Sequence, residues 1–202
     1  MSIIMIGGGG HARVLISTLA ENGKKIEGIT VAEQEKVGQT VLGCSVIGTD
    51  DVLSQYPPDR VNLVNGIGYI GKEKIRQKVF KHFKKLGYTF EKVIHPSAMI
   101  AKDVQIGEGV QAMAGSIVQV ASVLNENCII NTNTSIDHDC AVGTDVHIAP
   151  GVTVCGTVQI GSGTFIGAGS TLGPNINIGR NCFIGAGSVV LDDVDDETRF
   201  VK

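Results

Sequence analysis

The stretch NTNTSIDHDC, residues 131–140, sets an imidazole between two carboxylates, Asp137-His138-Asp139, inside a long region of small and aliphatic side chains. An imidazole with a pKa near 6.5 is the side chain suited to accept a proton at neutral pH. A flanking carboxylate can hold its other ring nitrogen, fix the tautomer and stabilise the imidazolium as it forms. These residue types suit general-base chemistry, with His138 the base, Asp139 the preferred orienting carboxylate and Asp137 the alternative. The competing reading is a surface histidine whose charge its neighbours neutralise. No serine stands in a nucleophile-elbow context, so a covalent intermediate on serine is not favoured. Cys44, Cys128, Cys140, Cys155 and Cys182 are odd in number and form no CxxC pair, so their spacing suggests neither a disulfide framework nor a zinc site, and no metal is expected.

The element that must position His138 is legible as a repeat. From His95 the chain reads in sixes, HPSAMI, AKDVQI, GEGVQA and so on, for sixteen hexads without insertion to Val190. The sixth place is Ile, Val or Leu in fifteen hexads and Ala112 in the other, and the fourth holds only Ala, Val, Ile, Ser, Thr or Cys. A period of six is the signature of a parallel β-helix, whereas an α-helical repeat would space its apolar residues by three and four. Each hexad supplies one short strand and one corner. The fourth and sixth side chains point inward, and the frequent Gly after the aliphatic is expected to make the turn. Three hexads close a triangular coil of eighteen residues, so the repeat makes about five coils. His138 then falls at the second place of a hexad, outside the inward-facing set.

The first ninety residues follow another pattern. SIIMIGGGGHARVLISTLAENG predicts a buried strand over 3–6, a glycine turn over 7–10 and a helix from 12 to 21. A glycine loop opening a helix can cradle an anion on free backbone N–H groups, which makes Gly8, Gly9, Gly10 and His11 candidate ligand contacts; a plain tight turn is the alternative. KIEGITV predicts a second strand, followed by Val31-Ala32-Glu33 rather than a well-placed acidic residue, so dinucleotide redox chemistry loses support. RVNLVNGIG predicts a third strand running into a second glycine loop, with Gly66 and Gly68 as further candidates. Residues 72–87 predict an amphipathic helix with a solvated basic face.

Composition narrows the classes further. A formal net charge of −3 over 202 residues gives no electrostatic reason to expect nucleic acid. The uncharged runs are rich in Gly, Asn, Thr and Ser, so no membrane insertion is expected. The N-terminus lacks the basic start and cleavage site of a secretory signal, and a cytoplasmic location is expected.

The N-terminal IGGGGHARVL, the junction VIHPSA and the segment DHDCAVGTDVHIAPGVTVCGTVQIG together resemble the bacterial sugar acetyltransferases of the hexapeptide-repeat superfamily, among them bacillosamine and perosamine N-acetyltransferases and sialic acid O-acetyltransferases. The resemblance covers nearly the whole chain. It implies a small Rossmann-like α/β domain over 1–93 that holds the sugar nucleotide, and a left-handed β-helix over 94–202 that binds acetyl-CoA, assembled as a homotrimer with acetyl-CoA between adjacent helices. It implies that His138 is the general base with Asp139 beside it, and that His147, Gly156 and Ala168 lie at the acetyl-CoA thioester and chain. Asn131 falls near the acceptor. Two departures accompany the match: Val31-Ala32 replaces an acidic pair that contacts the nucleotide base or ribose, and a Gly-x-Pro-Ala segment does not follow DETRFVK, so part of the CoA-binding edge is expected to be absent or built differently.

The expected activity is acetyl-CoA-dependent N-acetylation of a nucleotide-linked 4-amino-4,6-dideoxy sugar for surface glycan synthesis. The alternatives are O-acetylation of a sugar or sialic acid, and a non-catalytic trimeric solenoid that binds nucleotide sugar.

Overall fold

The structure, a computed structural model, describes residues 1–69, 71 and 74–201. It divides into two compact units, Met1–Val93 and Ile94–Lys202.

The first unit contains β1 (Ser2–Ile6), α1 (Gly10–Glu21), β2 (Ile26–Thr30), β3 (Thr40–Val41), β4 (Cys44–Gly48), β5 (Val61–Asn65), α2 (Ile75–Lys85) and β6 (Thr89–Phe90). The sheet order is β3-β4-β2-β1-β5-β6, with every pairing parallel except that of β3 with β4. Ile3, Ile4, Met5 and Ile6 are all buried, because a central parallel strand is covered on both faces and has no polar alternation. Helix α1 begins at Gly10, two residues before the expected start, with Gly9 as its N-cap. Within α2, Phe80 and Phe83 pack on the sheet while Lys78, Lys81 and Lys85 face solvent. Lys72 and Glu73, the first two residues of the expected helix, lie outside the described residues.

RVNLVNGIG forms the fifth strand of this unit and not the third, because residues 40–48 fold as a hairpin the sequence pattern does not announce. Its turn residues, Leu42 and Gly43, both take positive φ, 48° and 80°. Two-residue hairpin turns of this kind favour Asn-Gly or Asp-Gly, and a leucine at the first place hides the signal.

The second unit is a left-handed parallel β-helix. Two-residue strands stack in three parallel sheets of five, six and seven strands, and within the hexads a strand pairs with the one eighteen residues along, as Ile130 with Ile148 and Ile148 with Ile166. The sixth-place aliphatics form one buried column set, each worth roughly 1.5–3 kcal/mol of burial. Fourth-place hydroxyls are buried too: Thr134 Oγ1 donates to Ala149 O (3.0 Å) and Ser170 Oγ to Gly185 O (2.8 Å), fifteen residues along, while Ser116 and Ser188 donate to the carbonyls of Met113 and Gly185, three residues back. Cys140 and Cys182 occupy the same fourth place, and burial pushes both thiols up, which keeps them protonated and inert.

The turn residue is not the one expected. Positive φ falls at the third place of the hexad, at Asn133, Asp139, Asp145, Gly151, Thr157 and Gly163 among others, and not at the Gly that follows the aliphatic. That first-place Gly is required for close approach instead. A Cβ on Gly143 would stand 2.6 Å from Ser162 N, and one on Gly161 would stand 2.6 Å from Arg180 N. The helix also continues past the sixteenth hexad: Val194 bridges Ile178, and Arg199–Phe200 pairs with Phe183–Ile184. Phe200 lies over Ile184, sixteen residues back rather than eighteen, so this last coil is two residues short.

Candidate active site

His138 lies at the corner between the strands Ser135–Ile136 and Ala141–Val142. Its backbone is held on all sides. Asp137 N donates to Val154 O, Asp139 N to Val120 O, and Thr157 N to His138 O (2.9 Å). Beneath the corner the buried Ser122 hydroxyl donates to Asp137 O (3.0 Å) and accepts from Cys140 N (3.2 Å). The ring projects from this framework at about half exposure, 52%.

The two carboxylates divide the work. Asp137 Oδ1 accepts from the backbone N–H of His138 (2.9 Å), so it caps the corner. Asp139 Oδ2 lies 2.8 Å from His138 Nδ1. Asp139 can reach back to the preceding side chain because its backbone is left-handed, φ 58°, a conformation that Asp tolerates better than most residues. The hydrogen bond that His138 donates to Asp139, followed by the charge of Asp137, holds the His138 pKa above its ordinary value against a smaller opposing effect of burial. With Nδ1 engaged, Nε2 is the nitrogen left to meet a substrate proton.

Gly156 stands one coil along from His138, at the same corner. A Cβ there would lie 2.6 Å from His138 Cε1 and 2.7 Å from Nε2. The glycine is therefore a notch that receives the imidazole, on the side of Cε1 and Nε2.

A second cluster occupies another stretch of the triangle. His147 opens the strand His147–Ile148, its ring edge-on to Phe165 (5.3 Å between centroids), and Phe165 stacks on Phe183, over which Arg199 lies (4.2 Å to the ring centroid). Asn131 Nδ2 is 3.4 Å from His147 Nε2, and Asn131 Oδ1 accepts from Thr132 N (2.8 Å). Ala168 follows the strand Phe165–Ile166, two coils along from the Asn131 corner. One subunit thus brings together His138, Asp139 and Gly156, and separately Asn131 and His147, with Ala168 along the edge beside the latter.

In the first unit the two glycine loops meet. They leave the carboxyl ends of adjacent strands, Ile6 pairing with Asn65. Gly66 is packed so closely that a Cβ would stand 2.8 Å from the carbonyls of both Ile6 and Gly7, and Gly68 sits against the His11 side chain. Helix α1 has no acidic residue in its first turn, which leaves its N-terminal N–H groups favourable to an anion. Gly8, Gly9, Gly10, His11, Gly66 and Gly68 are therefore neighbours in one unit.

Comparison with known proteins gives the family. Residues 2–83 match the PglD N-terminal domain, and residues 157–192 match the bacterial transferase hexapeptide repeat. Over 97% of its length the chain is 34% identical to Caulobacter crescentus PerB, a structure in complex with CoA and GDP-perosamine, covering 91% of that chain with a TM-score of 0.89. It belongs to the hexapeptide-repeat sugar acetyltransferases. A second member, the acetyltransferase domain of PglB from Neisseria gonorrhoeae in complex with acetyl coenzyme A, is 32% identical, with 97% of this chain and 93% of that one covered and a TM-score of 0.88. WeeI from Acinetobacter baumannii, at 23% identity and a TM-score of 0.78, shares the fold. No curated protein sequence matches significantly.

Two residues of this acetyltransferase escaped the sequence reading. Ser122 sits at an ordinary fourth place of the repeat, and only the three-dimensional stacking shows it bonded on both sides of the His138 corner. Arg76 belongs to a helix read only for its solvated basic face, yet it is buried, four and seven residues before Phe80 and Phe83 on the face that packs inward, a spacing that marks it. Among the described residues no group of three or more His, Cys, Asp or Glu is arranged to hold a metal ion, and no helix is long and apolar enough to cross a membrane.

Proposed function

We propose that the protein transfers the acetyl group of acetyl-CoA to the amine of a nucleotide-linked amino-deoxy sugar of the 4-amino-4,6-dideoxy type, in the service of surface glycan synthesis in the cytoplasm. The observation that carries this reading is the His138 imidazole, held through Nδ1 by Asp139 and seated in the Gly156 notch, in a chain whose relatives hold CoA and GDP-perosamine.

In this reading the amine attacks the thioester carbonyl while His138 Nε2 takes the proton that the nitrogen sheds. Asp139 stabilises the imidazolium. The Gly156 N–H is the candidate donor to the developing oxyanion, a role worth roughly 3 kcal/mol where geometry is right. The C–S bond then breaks, the thiolate of CoA leaves, and the proton on His138 is returned to it. His147 and Ala168 line the path of the thioester and pantetheine, Asn131 lies by the acceptor, and the two glycine loops of the first unit hold the nucleotide. Because the His138 and His147 clusters occupy different stretches of one triangular coil, the reading requires a neighbouring subunit to complete the site, as in a homotrimer.

The test is thiol release from acetyl-CoA with UDP-, GDP- and dTDP-linked 4-amino-4,6-dideoxy sugars, with products identified by mass spectrometry. Release dependent on one amino sugar supports the reading and names the nucleotide. Release with sialic acid alone would move the assignment to O-acetylation, and silence with every acceptor beside retained acetyl-CoA binding would refute it.

A further inference from the structure

We propose that Arg76 is a positioning residue for nucleotide binding: from inside the first unit it holds the Gly66–Gly68 loop in the shape that meets the anionic part of the substrate. This rests on the reading of the two glycine loops as the nucleotide site. Arg76 is 7% exposed, in the first turn of α2. Its Nη1 donates to Asn65 O (2.9 Å) and Ile67 O (2.7 Å), the carbonyls on either side of Gly66. In return Asn65 Nδ2 donates to Arg76 O (3.1 Å), and Asn65 Oδ1 accepts from Ile67 N (3.3 Å). Three of these hydrogen bonds tie helix to loop, two of them charge-assisted, and the fourth braces the loop internally.

The consequence for the loop follows from peptide geometry. In a trans peptide the N–H points opposite to the C=O. Turning the Ile67 carbonyl toward Arg76 therefore directs the Gly68 N–H away from α2, and Gly68 is the residue that packs on His11 at the start of α1. The Gly66 N–H is already taken by Ile6 O (2.8 Å), so the Gly68 N–H is the one this arrangement presents. A permanent positive charge is also placed directly behind a loop that would face a diphosphate. Lysine is an imperfect substitute because both bonds leave one planar nitrogen, Nη1, whose two N–H directions are fixed, whereas an ammonium is a rotatable point charge on a different stem.

The experiment is calorimetric titration of the full chain with GDP, UDP and dTDP, for wild type, R76M and R76K, together with steady-state kinetics and thermal melts. For whichever diphosphate wild type binds, R76M is expected to raise Kd by at least about tenfold, with R76K between the two. The KM for acetyl-CoA and the kcat at saturating acceptor should stay within about threefold. An unchanged Kd in folded R76M would overturn the proposal, as would equal losses in kcat and in acetyl-CoA KM, or loss of the native circular dichroism spectrum in both variants. Wild type that binds none of the three diphosphates would instead refute the nucleotide reading itself, and this inference with it.

Discussion

His138 and His147 sit nine residues apart in one solenoid, and their surroundings could hardly differ more. His138 stands at a corner, half exposed, with a carboxylate on Nδ1 and a second carboxylate alongside, and its pKa is raised. His147 lies on a strand, its ring edge against Phe165 and its Nε2 near an amide. The same side chain stands exposed beside a carboxylate or packed against an aromatic ring according to its place in the hexad. A second-place residue projects at a corner, where a left-handed third-place Asp can turn back on it; a fifth-place residue joins a ladder of outward side chains.

The sharpest break of this contrast is His138→Ala. Loss of the general base should lower kcat by ~10²–10⁴-fold while acetyl-CoA binding, followed by calorimetry, is largely kept. Near-normal turnover would remove His138 from the base role. Gly156→Ala comes next: its methyl group collides with the ring that the notch receives, and a roughly 10–100-fold loss in kcat with a small change in melting temperature is expected. If Gly156→Ala turns over normally, the ring does not depend on the notch.

Asp139→Asn should cost roughly tenfold in kcat/KM and, more tellingly, move its pH profile. The His138 pKa is held above about 6.5 by Asp139 first and Asp137 second, so the wild-type rate rises with pH through a midpoint above that value. Removing Asp139 lets the pKa fall, which shifts the acid limb to lower pH even as the plateau drops. An acid limb that stays in place would assign the titration to another group. Asp137→Asn should shift the same limb in the same direction by less, because its carboxylate meets the backbone N–H and not the ring. His147→Gln, the smallest effect, should change turnover by only about threefold to tenfold and appear chiefly in the KM for acetyl-CoA. A loss as large as that of His138→Ala would erase the distinction between the two histidines.

Much of this molecule was written in its periodicity. Sixteen uninterrupted hexads determine which residues point inward, where corners fall and that each residue stacks on one eighteen away, because a coil must close on itself and bury its aliphatics. The same count of eighteen separates Gly156 from His138, although only the structure shows the glycine receiving the ring. The glycine loops and the strand before each were equally local, since a buried strand, a glycine turn and a helix start each carry their own signal. The hairpin at residues 40–48 was not, because its turn uses Leu42 where a telling Asn or Asp would stand.

Other features were decided only by the fold. Left-handed φ falls at the third hexad place and close coil-to-coil approach at the first, so glycines that look alike in the sequence answer two different steric demands. Which carboxylate reaches His138 depended on a backbone angle at Asp139 that composition does not reveal. Ser122 supports the corner through contacts fifteen and eighteen residues distant, and Arg76 joins Phe80 and Phe83 on the buried face of α2, where its charge finds loop carbonyls. Sequence determines these residues' chemistry, but hydrogen bonds across coils and between a helix and a loop exist only once the chain has brought their ends together.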